Sequence, residues 1–248
     1  MTEILTIEDQ IATIRFNRPE AMNAMNSEVS EAVIEATRRI EGCRALIVTG
    51  NDKAFSAGAD LKEDRPPESR LPRPIDAIAA IAAVRVPVFA AIEGYCIAGG
   101  LEVALACDFL IGSETSTFSL AEVKRGFIPG GGGTQRLPRR IGAARAKEML
   151  FFGNQIDASM AYAWGLINRL VASGLAYSVA RDMALELAKG APLAIRELKR
   201  QVDNGMEMPL DQAMLLERDG NVKLDKSVDA WEGRLAFREK RPPVFKGM

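Results

Sequence analysis

Glu102 and Glu122 stand in the stretches of this chain best suited to acid/base chemistry, and the absence of histidine gives them added weight. Without histidine there is no Ser-His or Cys-His catalysis, no His-based zinc site and no side chain of near-neutral pKa, so carboxylates or backbone groups must do any chemistry. Glu102 lies in residues 93–108, where a strand-like run at 86–92 feeds a turn with Gly94, Gly99 and Gly100, followed by the helix formers of 101–106. Backbone N–H groups left free at such a helix start attract negative charge, and glycine lets a ligand approach closely. Glu122 sits among Leu120, Ala121 and Val123. Apolar surroundings push a carboxylic acid pKa upward, while the neighbouring Lys124 and Arg125 push it down. In residues 53–62 the small side chains of Ser56 to Ala59 leave the Ala57 N–H able to face a ligand. Taken singly, each stretch also reads as an ordinary strand–helix junction, a loop after a strand, or a surface glutamate at a helix start.

The elements that must position these groups alternate. Residues 4–7 and 11–16 form an N-terminal hairpin around Glu8-Asp9-Gln10. Ser27 is expected to cap a helix whose face is Val29, Ala32, Val33, Ala36 and Ile40, with Gly42 closing it. Residues 45–49 read as a strand buried on both faces, as parallel strands are. Residues 62–74 carry Pro66, Pro67, Pro72 and Pro74 among charged residues and read as an exposed loop. A short helix at 75–83 and a strand at 109–111 continue the pattern. Gly130 to Gly133 lack the Gly-Lys-Ser/Thr ending of a phosphate loop and the Gly-x-Gly-x-x-Gly spacing, so they read as a tight turn into a helix with Thr134 near its start. The rest is mainly helical, with a stripe of Ala176, Val179, Ala180, Met183 and Leu187 and helix starts at Pro192, Pro209 and Asp225. The expected plan is an α/β core over 1–195 and a C-terminal helical segment over 196–248.

With 32 basic against 33 acidic residues, no overall field favours nucleic acid or an anionic membrane. Helix residues 27–41 carry Glu28, Glu31, Glu35 and Glu41 against Arg38 and Arg39, a surface that repels phosphate. Cys43, Cys96 and Cys107 are too few and too scattered for a disulfide framework or a zinc ribbon, so buried reduced thiols are expected and no metal site. The acidic start and the lack of a long apolar run argue for a cytoplasmic protein.

Together the stretches match one family. From residue 11 to 243 the chain resembles the enoyl-CoA hydratase/isomerase, or crotonase, superfamily. The resemblance rests on Asn17-Arg18-Pro19 with Asn23-Ala24-Met25, on 55–61, on Gly94-Tyr95 through Gly99-Gly100-Leu101-Glu102, and on 128–137. Gly165-Leu166-Ile167, Glu232-Gly233, Ala236-Phe237 and 239–241 follow in order. The resemblance implies a crotonase-like ββα spiral with a C-terminal trimerisation segment, assembling as trimers or pairs of trimers. It implies an oxyanion hole made by the N–H groups of Ala57 and Gly99 for the thioester carbonyl of an acyl-coenzyme A. Glu102 and Glu122, twenty positions apart as in the hydratases, would activate water and supply the C2 proton. Coenzyme A would enter as part of the substrate, with no separate cofactor, and lie along Ala21, Met22, Ala59, Asp60 and Leu61. A double-bond isomerase or a specialised acyl-CoA dehydratase is the alternative, and the short 62–74 segment is the departure from the family pattern.

Overall fold

The computed structural model describes residues 4–248 apart from Arg65 and Pro67, so the leading Met1 to Glu3 and the second proline of the expected loop lie outside the described residues. The chain opens with an antiparallel pair, β1 (Leu5–Glu8) and β2 (Ile11–Arg15), turned through Asp9 and Gln10. Helix α1 (Ser27–Arg38) then crosses to β3 (Ala45–Thr49), which pairs in parallel with β2.

From β3 onward the chain repeats one motif: a strand in a large sheet, a short strand in a small sheet, then a helix. β3, β4 (Ala54–Ser56) and α2 (Pro74–Ala82) make the first turn of this spiral, and β5 (Val88–Ile92), β6 (Tyr95–Ile97) and α3 (Gly99–Leu105) the second. The third is β7 (Phe109–Ser113), β8 (Thr117–Ser119), a 3₁₀ turn at Glu122–Arg125 and α4 (Gly133–Ile141). There follow α5 (Ala143–Phe152), β9 (Ile156–Asp157), α6 (Ala158–Ala163), β10 (Arg169–Val171), α7 (Ala176–Ala188), α8 (Pro192–Gly205), α9 (Leu210–Asp225) and α10 (Val228–Glu239). This is the ββα spiral that the sequence led us to expect.

The large sheet runs β1-β2-β3-β5-β7-β10, parallel beyond the first pair. All of β3 and β5 is buried, because both faces are covered. On one face Ala176, Ala180 and Ala184 of α7 let that helix settle against Ile47, Phe89 and Ile111. On the other, Leu46, Val48, Val88 and Ala90 join the main core with α1, α2 and α3. The small sheet, β4-β6-β8-β9, places the ends of three strands beside one another, and the site is built there.

Several local expectations are corrected. Asn26, not Ser27, caps α1: its Oδ1 accepts from the Val29 N–H at 3.0 Å, while the Ser27 N–H and hydroxyl both donate to Glu63. Both residue types cap well, so only the distant Glu63 decides between them. Helix α1 stops at Arg38, ahead of Gly42. Asp225 ends α9, and Ser227 caps α10 by accepting from the Ala230 N–H at 3.0 Å. The small sheet is absent from the sequence reading because three-residue strands carry no periodicity. Position 195 lies within α8, which is tied to the sheet by Lys199 Nζ on Asp108 Oδ2 at 2.7 Å.

Candidate active site

The loop after β4 and the start of α3 meet closely. A methyl group on Gly58, which stands at φ +92°, would lie 2.8 Å from the Gly99 nitrogen, so only glycine fits there. A methyl on Gly100 would lie 2.2 Å from the Ser56 carbonyl oxygen, which brings the first turn of α3 onto β4. Ala98, at φ +52°, turns the chain into α3 and is held by its N–H donating to the Ser119 carbonyl at 2.7 Å.

Two N–H groups result with no acceptor among the described residues. Met25 donates to the Gly58 carbonyl at 2.7 Å and accepts from the Asp60 N–H at 2.9 Å. This pairing turns the intervening Ala59 N–H to the opposite side, towards the cavity and towards Gly99. The Ala59 nitrogen lies 3.4 Å from where a Gly99 side chain would begin. Ala57 does not fill the expected role. Its N–H donates to the Met22 carbonyl at 3.0 Å, and a donor so engaged cannot also reach a ligand oxygen. Ala59 and Gly99 therefore present a neighbouring pair of free N–H donors on the cavity wall.

Glu102 lies in the first turn of α3 and is 4% exposed. Its Oε1 accepts from the N–H groups of Gly131 at 2.7 Å and Gly133 at 2.8 Å. Burial raises its pKa, and the turn's N–H groups together with the Arg136 cation oppose that rise. Glu122 opens the 3₁₀ turn. Its Oε2 is buried and finds no hydrogen-bond partner among the described residues. Burial raises the Glu122 pKa, its own backbone N–H lowers it, the like charge of Glu102 raises it further, and Arg125 acts against the rise. Lys124, expected to share that opposing role, reaches away to the Asn154 side-chain oxygen at 3.0 Å.

Both carboxylates and both free N–H groups line one cavity of about 620 Å³, walled by Met22, Met25, Ile75, Ile78, Phe127 and Ile128. Leu61 and Asp60 also line it, whereas Ala21 does not. The Asp60 carboxylate is already engaged, by Arg18 at 3.0 Å and by the Lys62 N–H at 3.0 Å, which lower its pKa. Two buried carboxyl groups of raised pKa that line one apolar cavity with two unpaired N–H donors can move a proton onto and off a carbon next to a carbonyl. The glycines of 130–133 were legible as a turn, but not as the cradle of Glu102, because that contact spans about thirty positions and has no local signature.

The family model described as enoyl-CoA hydratase/isomerase matches residues 6–248. Among curated relatives, the probable enoyl-CoA hydratase echA8 of Mycobacterium tuberculosis is 38% identical over 98% of this chain and 97% of its own. The carnitinyl-CoA dehydratase of Salmonella paratyphi A is 38% identical, over 98% of this chain and 97% of its own. Of solved structures, the enoyl-CoA hydratase from Bacillus anthracis superposes with a TM-score of 0.92 at 33% identity, covering 99% of this chain and all of that one.

Proposed function

The chain belongs to the enoyl-CoA hydratase/isomerase family, and from that premise we propose that it adds water reversibly across the 2,3 double bond of a 2-enoyl-coenzyme A thioester. The thioester carbonyl oxygen accepts hydrogen bonds from Ala59 and Gly99. As water adds at C3, negative charge builds on that oxygen, and a preorganised donor stabilises it by about 3–4 kcal/mol. Glu102, steadied through Oε1 by Gly131 and Gly133, takes the proton of the attacking water at its other oxygen. Glu122, whose raised pKa favours the neutral form and which lines the same cavity, delivers its proton to C2. The two titrate as a coupled pair and exchange roles in dehydration.

The observation that carries this reading is the convergence of both carboxylates on one cavity with the two free N–H groups. Moving a double bond needs one acid/base group, whereas adding water needs one for the water and one for the carbon. A second reading, dehydration of a 3-hydroxyacyl-CoA with a polar acyl group, is favoured by Glu63, Arg73 and Arg125 on the same cavity wall. Coenzyme A is part of the substrate, held along Met22, Ala59 and Leu61.

The exposed apolar residues of the last helices, among them Leu198, Met206, Leu210 and Phe237, are read as the contact between copies in a trimer or a pair of trimers. Among the described residues no helix is long and apolar enough to cross a membrane.

The test is a panel of acyl-CoA thioesters with products identified by mass. A 2-enoyl thioester gains one water, and Glu102→Gln and Glu122→Gln each lower that rate by roughly 10²- to 10⁴-fold. A product of unchanged mass with a shifted double bond refutes the hydratase reading.

A further inference from the structure

Arg136 takes no part in the steps above, yet it sits half-buried beside the site and forms no ion pair among the described residues. Its Nη1 donates to the Gly131 carbonyl at 2.7 Å. Gly132 stands at φ +108°, and a methyl group there would lie 2.3 Å from the same Nη1, so the guanidinium occupies the space a side chain at 132 would need. The N–H groups that reach Glu102 Oε1 belong to the peptides 130–131 and 132–133. The carbonyl that Arg136 holds belongs to peptide 131–132, between them. A run of glycines has wide backbone freedom, and fixing its middle peptide sets the direction of both flanking donors.

We propose that Arg136 is a positioning residue for Glu102: by clamping the Gly131 carbonyl it aims two N–H groups at Oε1 and leaves Oε2 turned to the reacting water. The use of this device in hydration rests on the hydratase reading, but the clamp itself does not. The cation also favours the ionised carboxylate, against the burial that disfavours it. Of the elements around α3, α4 brings Arg136, with Arg139 engaged on Gln135 and Arg140 on Leu166 and Asn168, and the 3₁₀ turn brings Glu122, with Lys124 engaged on Asn154 and Arg125 on the cavity wall. Helix α2 carries Asp76, whose carboxylate is engaged by the Arg73 N–H at 2.7 Å, β4 has no titratable side chain, and β6 has Tyr95 and Cys96. Arg136, held at the Gly131 carbonyl, is the cation of this set whose charge acts on Glu102.

The experiment follows the Glu102 carboxylate by ¹³C NMR in protein labelled at glutamate Cδ, with the signal assigned by Glu102→Gln, in wild type, Arg136→Met and Arg136→Lys. The Glu102 midpoint is expected to rise in Arg136→Met and to return towards wild type in Arg136→Lys. In parallel, kcat for hydration of a short 2-enoyl-CoA falls roughly tenfold or more, with KM within about twofold. An unchanged Glu102 midpoint in Arg136→Met overturns the proposal whatever the activity. Where Arg136→Met does not fold, Arg136→Gln gives the same reading, and an unmoved midpoint there is equally fatal. A wild-type protein that hydrates no thioester, with a midpoint that still moves on substitution, leaves the clamp standing and removes the hydratase reading.

Discussion

Ala57 and Ala59 lie two residues apart in one loop, and removing a single N–H at each tells which one serves the thioester. Incorporating lactate in place of alanine puts an ester oxygen where the N–H was and leaves the side chain intact. At 59 the lost N–H has no protein acceptor among the described residues and faces the cavity beside Gly99. Its loss removes one of two oxyanion donors, about 3–4 kcal/mol, or some 10²- to 10³-fold in kcat. The ester also weakens the Gly58 carbonyl, which accepts from Met25 at 2.7 Å, at a stability cost of about 1 kcal/mol. At 57 the balance is reversed. The N–H there donates to the Met22 carbonyl at 3.0 Å, so its loss costs stability by about 1 kcal/mol and leaves the charge on the substrate oxygen untouched. The assay is kcat for hydration of a short 2-enoyl-CoA, with urea unfolding of both esters as the stability control. A large loss of kcat at 57 with near wild-type turnover at 59 refutes the assignment of the donors.

Three further outcomes follow from the same geometry. Gly133→Ala places a methyl 3.1 Å from Glu102 Oε1 and 2.9 Å from Pro129 Cβ, so the donor must shift; kcat is expected to fall roughly tenfold and stability by about 1–3 kcal/mol, checked by kinetics and urea melts. Glu122 has a raised folded pKa, so its contribution to stability is fully present below the unfolded carboxylate pKa and is lost as pH rises through the folded value. The neutral Glu122→Gln is therefore expected to melt higher than wild type at pH 8, with the difference shrinking as pH falls through the carboxylate range. Lys199→Met removes the partner of Asp108 from a contact whose side chains are 11% and 24% exposed, and is expected to destabilise the fold by about 2 kcal/mol in urea unfolding without changing KM.

The extent to which the molecule could be read from its residues varies with distance along the chain. The buried strands at 45–49 and 88–92 announce themselves by unbroken apolar runs, and the hairpin by Asp9 and Gln10 between two such runs. The upward push on the Glu122 pKa was legible because its apolar neighbours are adjacent in sequence, whereas its balance against Lys124 and Arg125 was not. The same stretch misled over Lys124, whose long side chain could reach Asn154 thirty positions away. Ala57 and Ala59 are chemically alike in a run of small residues, and only the pairing of Met25 with Gly58 and Asp60 tells which N–H is left free. The glycine cradle and Arg136 were hidden for a related reason. A tight turn looks the same in sequence whether its N–H groups face water or a glutamate from another helix.

The central claim is that two carboxylates add water, and labelled water tests it most directly. Incubating the protein with a short 2-enoyl-CoA in H₂¹⁸O and D₂O is expected to give a 3-hydroxyacyl-CoA carrying ¹⁸O at C3 and deuterium at C2, with both labels lost in Glu102→Gln and in Glu122→Gln. Deuterium at C2 or C4 of a still unsaturated thioester, with no ¹⁸O and with only one of the two glutamates required, would contradict it.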